Sequence, residues 1–207
     1  MLVVAAAGCG VGKALELTER ERALGAAAGV PDAVLLQLRA EGTDLKRVMG
    51  RDAREDPMPL PGVEVSVPAD RAEAILLRLR VALPGYFVFV SGMEPKWTGS
   101  TKQMAAVRGM GPYELMAAIG TNGDNHGLST DIVIARLKYW DSLYGLDFRE
   151  IDFDSVSASF VRKPANMLAF ARDAYAFCPD VVTQGAKTVE KLAAEMDREN
   201  VLYLWWD

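Results

Sequence analysis

Cysteine and histidine are nearly absent: Cys9 and Cys178 are the two cysteines and His126 the one histidine in 207 residues. Two cysteines cannot build a disulfide framework, and a lone histidine without a C-x-x-C pair leaves the usual zinc sites short of ligands. Basic charge is not in excess either. Lys and Arg number 23 against 28 Asp and Glu, a formal charge of −5, so no overall field attracts a phosphate backbone and nucleic acid is excluded as a partner class. No segment approaches the ~18 consecutive apolar residues of a membrane span. Against these absences stands an ordinary globular composition, 50% hydrophobic and 25% charged. That rules out a disordered or fibrous chain and fits one domain with an appendage.

Two motifs near the start need weighing. Ala6-Ala7-Gly8-Cys9 has the form of a lipobox in which Cys9 would be acylated, yet the eight residues before it contain no Lys or Arg. A secretory signal needs a basic segment and about 7–15 apolar residues. The chain as given therefore reads as cytoplasmic, with a lipid-anchored envelope protein as the alternative if translation starts upstream. The run Ala7 to Ala14 (AGCGVGKA) resembles a phosphate loop. It lacks the first glycine and the final Ser/Thr of G-x-x-x-x-G-K-[ST], so no nucleotide is expected there.

Residues 13–28 read as a helix that contains a T-x-x-E capping box, Thr18 and Glu21, and stops at Gly29; Pro31 opens a second helix to about residue 41. This predicts a helical hairpin within an N-terminal unit, 1–56. The stretch 50–62, GRDAREDPMPLPG, reads as a linker. The remaining domain, 62–207, should then fold without residues 1–50. Within it, alternation of Val63, Val65 and Val67 predicts a half-buried strand, and Tyr86–Val90 a central one. Helices are expected at 68–83, 111–119, 130–144, 164–177 and 187–198; in 130–144 Thr130 can serve as the cap, Ile132, Ala135, Leu137, Trp140 and Leu143 or Tyr144 form the apolar stripe, and Gly145 stops the helix. The segment 147–161 reads as a strand pair or one long strand whose apolar phase slips near Asp154-Ser155, which a bulge or bend would explain. Six consecutive apolar residues, Val201–Trp206, predict a terminal strand buried on both faces in the middle of the sheet. The fold class is α+β: a mixed, largely antiparallel sheet flanked by helices, with an N-terminal helical hairpin.

The stretches TNGDNHGLSTDIVIARLKYW, YAFCPDVVTQG and LYLWWD resemble the bacterial domain of unknown function 4253 family. The resemblance covers roughly 62–207 and is strongest over 121–207. It rests on Thr121-Asn122-Gly123, Trp140, Cys178-Pro179-Asp180, Gln184-Gly185 and Trp205-Trp206-Asp207. Ser155 and His126 depart from the pattern, which favours tryptophan and tyrosine there. The resemblance implies a fold and a bacterial source, and no activity.

Cys178, His126 and Asp180 invite a nucleophile triad. A cysteine ending a helix, however, sits at the negative end of the dipole, which raises its pKa, and a packed turn is the plainer reading. In that reading Asp180 accepts local backbone N–H groups. Glu150, Asp152 and Asp154 would share one strand face, spaced too widely for a single cation. Contact candidates for a ligand or partner are Trp97, Asn122, Asp124, His126, Asp180 and Gln184. No cofactor and no metal site is expected. The function read from this is a non-enzymatic binding or interaction module of the immunity-like kind. Its partner would be a protein or a small polar ligand, and a membrane only if Cys9 is lipidated. The alternative is a hydrolase or transferase with its site between the 121–129 loop and the Cys178–Gln184 turn. An exposed thiol beside the imidazole would favour the enzyme.

Overall fold

The computed structural model describes residues 15–52, 54–91 and 100–207. Helix α1 (Glu19–Ala28) starts later than the expected residue 13: residues 15–18 are not helical, because Thr18 caps the helix through reciprocal bonds with Glu21, and Gly29 ends it in the left-handed region, φ 67°. The second helix, α2 (Asp32–Glu41), completes the hairpin, with Pro31 as its N-cap. The residues read as a linker are sheet: β1 (Thr43–Arg51) and β2 (Pro57–Pro68) form an antiparallel hairpin. The prolines at 57, 59 and 61 are tolerated because β4 pairs with β2 only from Gly62 onward, so their missing N–H groups break no ladder there.

The chain continues through α3 (Ala72–Ala82), β3 (Tyr86–Ser91), β4 (Thr101–Arg108), α4 (Pro112–Ile119), α5 (Thr130–Tyr144), β5 (Leu146–Ile151), β6 (Ser155–Phe160), α6 (Met167–Phe177), α7 (Val189–Glu199) and β7 (Val201–Trp205). The strands make one sheet of order β1-β2-β4-β3-β5-β6-β7. The β3–β5 pair is parallel and the other neighbours antiparallel, as the α+β reading required.

Two apolar cores lie on opposite faces of this sheet. Helices α4 to α7 cover one, burying Leu115, Trp140, Phe170 and Met196 against Phe89, Ile151, Val156 and Leu204. Helices α1 to α3 cover the other over β2, β4 and β3, where Leu35, Leu38, Ile75 and Leu79 meet Val63, Val65, Val88 and Met104.

Four expectations are corrected. The terminal strand β7 is an edge strand, paired among the described residues with β6 alone. Its burial alternates: Leu202, Leu204 and Trp206 are buried, while Val201, Tyr203 and Trp205 are half-buried on the opposite face. The phase slip near Asp154 is a hairpin turn, Asp152–Asp154, between β5 and β6, so the three carboxylates do not line one straight strand. In α5 the N-cap is Ser129 rather than Thr130, and Ile132 and Leu143 point outward, leaving Val133, Leu137 and Trp140 as the buried stripe. In α6, Asn166 caps the helix through Ala169 N–H, two residues after the proline expected to open it.

Candidate functional site

The 121–128 loop is held at both ends. Gly123 and Leu128 exchange backbone bonds of 2.8 and 3.1 Å, and Asp124 N–H donates to Asn122 Oδ1 at 3.0 Å. The loop is tied to the β5–β6 turn by Thr121 Oγ1, donating to Asp152 O at 2.7 Å, and by Asn122 N–H, donating to Phe153 O at 2.9 Å. Glycine is required at 123: a Cβ there would lie 2.8 Å from Cδ1 and 3.0 Å from Nε1 of Trp206. The same β5–β6 turn receives the end of β7, whose Trp206 N–H donates to Asp154 O at 3.0 Å.

Asp180, on the turn after α6, joins these pieces. It is 5% exposed. Its Oδ2 lies 2.7 Å from His126 Nε2 and accepts Asp207 N–H at 3.1 Å, while Oδ1 accepts from Gln184 Nε2 at 3.2 Å and Thr183 Oγ1 at 3.3 Å. Burial alone would push this carboxyl up; the bonds from His126, the Asp207 N–H and Gln184 outweigh it and hold the pKa below the ordinary value. One carboxylate thus clasps the 122–128 loop, its own turn and the end of β7. The local backbone partners expected for Asp180 are replaced by donors 54 and 27 positions away.

Cys178 is excluded from this arrangement. Fully buried, its thiol donates to Trp205 O at 3.0 Å and lies 3.4 Å from Trp205 N, and burial pushes its pKa up to about 12. A thiol in that state is neutral and sealed, so the triad loses its nucleophile. His126, with its side chain 28% exposed, keeps Asp180 as its partner.

Two hollows flank the clasp. A small one of about 170 Å³ is walled by Asn122, Gly123, Asp124, Phe153, Asp154 and Trp206. A groove of about 870 Å³ runs over the half of the second sheet face that no described helix covers, bounded by α7 and the turn carrying Gln184. Strand register explains the groove. The row Met104, Val90, Glu150, Ser157, Tyr203 crosses the sheet, passing from apolar residues under the helices to polar and aromatic ones in the open. Ser155, Ser157 and Ser159 are the small residues of β6 on this face, and they keep the floor low between the Glu150–Lys102 pair and the aromatics of β7.

Of the residues read from sequence as contacts, Asn122 and Asp124 wall the small hollow, and His126 and Asp180 meet in the clasp. Gln184 binds Asp180 and lines the groove. Trp97 and Cys9 lie outside the described residues. Sequence reasoning missed Tyr203, Asp207, Glu150 and Glu195 as groove residues. The alternation S-V-S-A-S-F of β6 was the available signal. Among the described residues no group of three or more His, Cys, Asp or Glu is close enough to hold a metal ion.

A three-layer α+β domain with a carboxylate clasp under an open sheet face is the class that the fold and site define. Residues 103–207 match the family model described as Domain of unknown function (DUF4253), and the chain belongs to that family. The match begins in β4 and contains the whole clasp and nearly all of the groove. No curated protein and no solved structure matches the chain. No helix among the described residues is long and apolar enough to cross a membrane.

Proposed function

We propose that the chain is a non-enzymatic binding module that takes its ligand or protein partner in the groove beside β7. The observation that carries this reading is the groove itself. Its 870 Å³ falls in the range of about 300–1,000 Å³ usual for ligand sites, and its walls are built by the Asp180 clasp before any ligand arrives. The sealed Cys178 thiol supports binding over covalent catalysis. The test is an amide and indole N–H chemical-shift titration with mixtures of small amines, carboxylic acids and amides. Shifts at Tyr203, Trp205 and Gln184, with the compounds recovered unchanged, are the expected result. Unmoved groove signals overturn the reading.

A hydrolase or transferase is the second reading, favoured by the 2.7 Å His126–Asp180 contact, in which a carboxylate orients an imidazole as a general base would need. Consumption of a compound in the same titration, abolished by His126→Ala, would establish it. The cytoplasm is the compartment that goes with the binding reading, and acylation of Cys9 with envelope anchoring is its alternative. An intact-mass measurement on the natively expressed protein separates the two. An immunity-like role, with a protein as partner, is the biological setting we favour.

A further inference from the structure

We propose that the groove beside β7 receives an extended segment of a partner protein bearing lysine or arginine side chains. This rests on the groove being the ligand surface and names the chemistry that fills it. Of the carboxylates lining the groove, Glu150 is matched by Lys102 and Glu199 by Arg198. Asp154, Glu195 and Asp207 carry no ion pair among the described residues, and Lys191 is the cation left beside them. Burial and the neighbouring Asp152 hold the Asp154 carboxyl above its ordinary pKa, a penalty that an incoming cation relieves.

Among the described residues none of these carboxylates belongs to a cluster able to hold a metal ion, which favours an oligocation over a point ion. Tyr203 and Trp205 supply aromatic surface, against which guanidinium and ammonium groups pack favourably.

The groove selects a peptide among oligocations. Ser157 and Gln184 line it with polar side chains able to donate to an acceptor. A polyamine has no acceptor to bring, whereas a peptide has a carbonyl at every residue. Asp154 and Asp207 line both the groove and the small hollow, so a segment held at these carboxylates lies beside Trp206 of the hollow's wall.

The test is fluorescence anisotropy of the full chain with a labelled Lys-Gly repeat peptide, set beside its Glu-Gly counterpart and spermidine. The lysine peptide is expected to saturate the protein, to weaken as salt screens the carboxylates, and to shift the Trp206 indole N–H resonance. Asp154→Asn with Glu195→Gln should weaken binding about tenfold or more, while Glu19→Gln on α1 should leave it unchanged. If the double variant unfolds, Glu195→Gln alone on the α7 wall carries the comparison. Equal binding of the glutamate peptide, insensitivity to the groove variants, or spermidine binding as tightly as the peptide would overturn the proposal. Neutral or acidic compounds occupying the groove while the lysine peptide does not would sink this proposal and leave the binding-module reading standing.

Discussion

Single side chains decide which chemistry this site can perform. The Cys178 thiol is bonded on both sides to the Trp205 backbone, and its raised pKa keeps it protonated. In a Cys9→Ser background, Cys178 should resist alkylation in native buffer and react fully once denaturant opens the fold. Reaction in the native protein would restore the nucleophile. Glu64 makes the opposite kind of statement. Burial, opposed by the 2.5 Å bond from Ser91 Oγ, holds its carboxyl above the ordinary value. A folded pKa above the unfolded value of about 4.3 means that the folded state favours the protonated form, so ionisation at neutral pH destabilises the fold. Glu64→Gln should therefore raise the melting temperature at pH 7. That gain should shrink as pH falls through the folded pKa, vanishing below the unfolded one. Melting curves across that window check the sign.

At the scale of elements, the N-terminal hairpin is part of the packing. Leu35 and Leu38 of α2 are fully buried in the core that contains Val63, Val65 and Val67 of β2, and β1 closes that end of the sheet. Removing residues 1–50 would bare this valine row and leave β2 as a hydrophobic edge. We expect the truncated chain to lose its cooperative melt, measured by circular dichroism, and a retained sharp transition would show that 51–207 folds alone. This end of the fold was the least legible in the sequence. Prolines and charges in GRDAREDPMPLPG signal a linker wherever both neighbours need N–H groups, and an edge-proximal strand escapes that requirement. The helices were legible because their caps and apolar spacing are local: the Thr18–Glu21 box and the glycines at 29, 120 and 145 stop and start them where expected. The terminal strand was legible as a strand but not as an edge. A run of six apolar residues hides alternation, and half of the run faces the groove rather than a second core.

Across the whole molecule, the site is a matter of long-range ties. Local signals in the sequence pair His126 with Asp180 only as members of a triad; their union through a 2.7 Å contact depends on the 121–128 loop docking on the β5–β6 turn. Asp207, which completes the clasp, is 27 positions from Asp180, and its place in the Trp205-Trp206-Asp207 motif does not reveal that partner. Because the Asp180 pKa is lowered, the stability it contributes is in place above its unfolded value of about 3.9 and is lost as pH falls through the folded one. Asp180→Asn, followed by hydrogen exchange with mass-spectrometric readout, reads the clasp directly at neutral pH. Protection should fall together in 122–128, 180–186 and 201–207, with α1 to α3 unchanged. A loss confined to 180–186 would contradict the clasp, and with it the preformed groove.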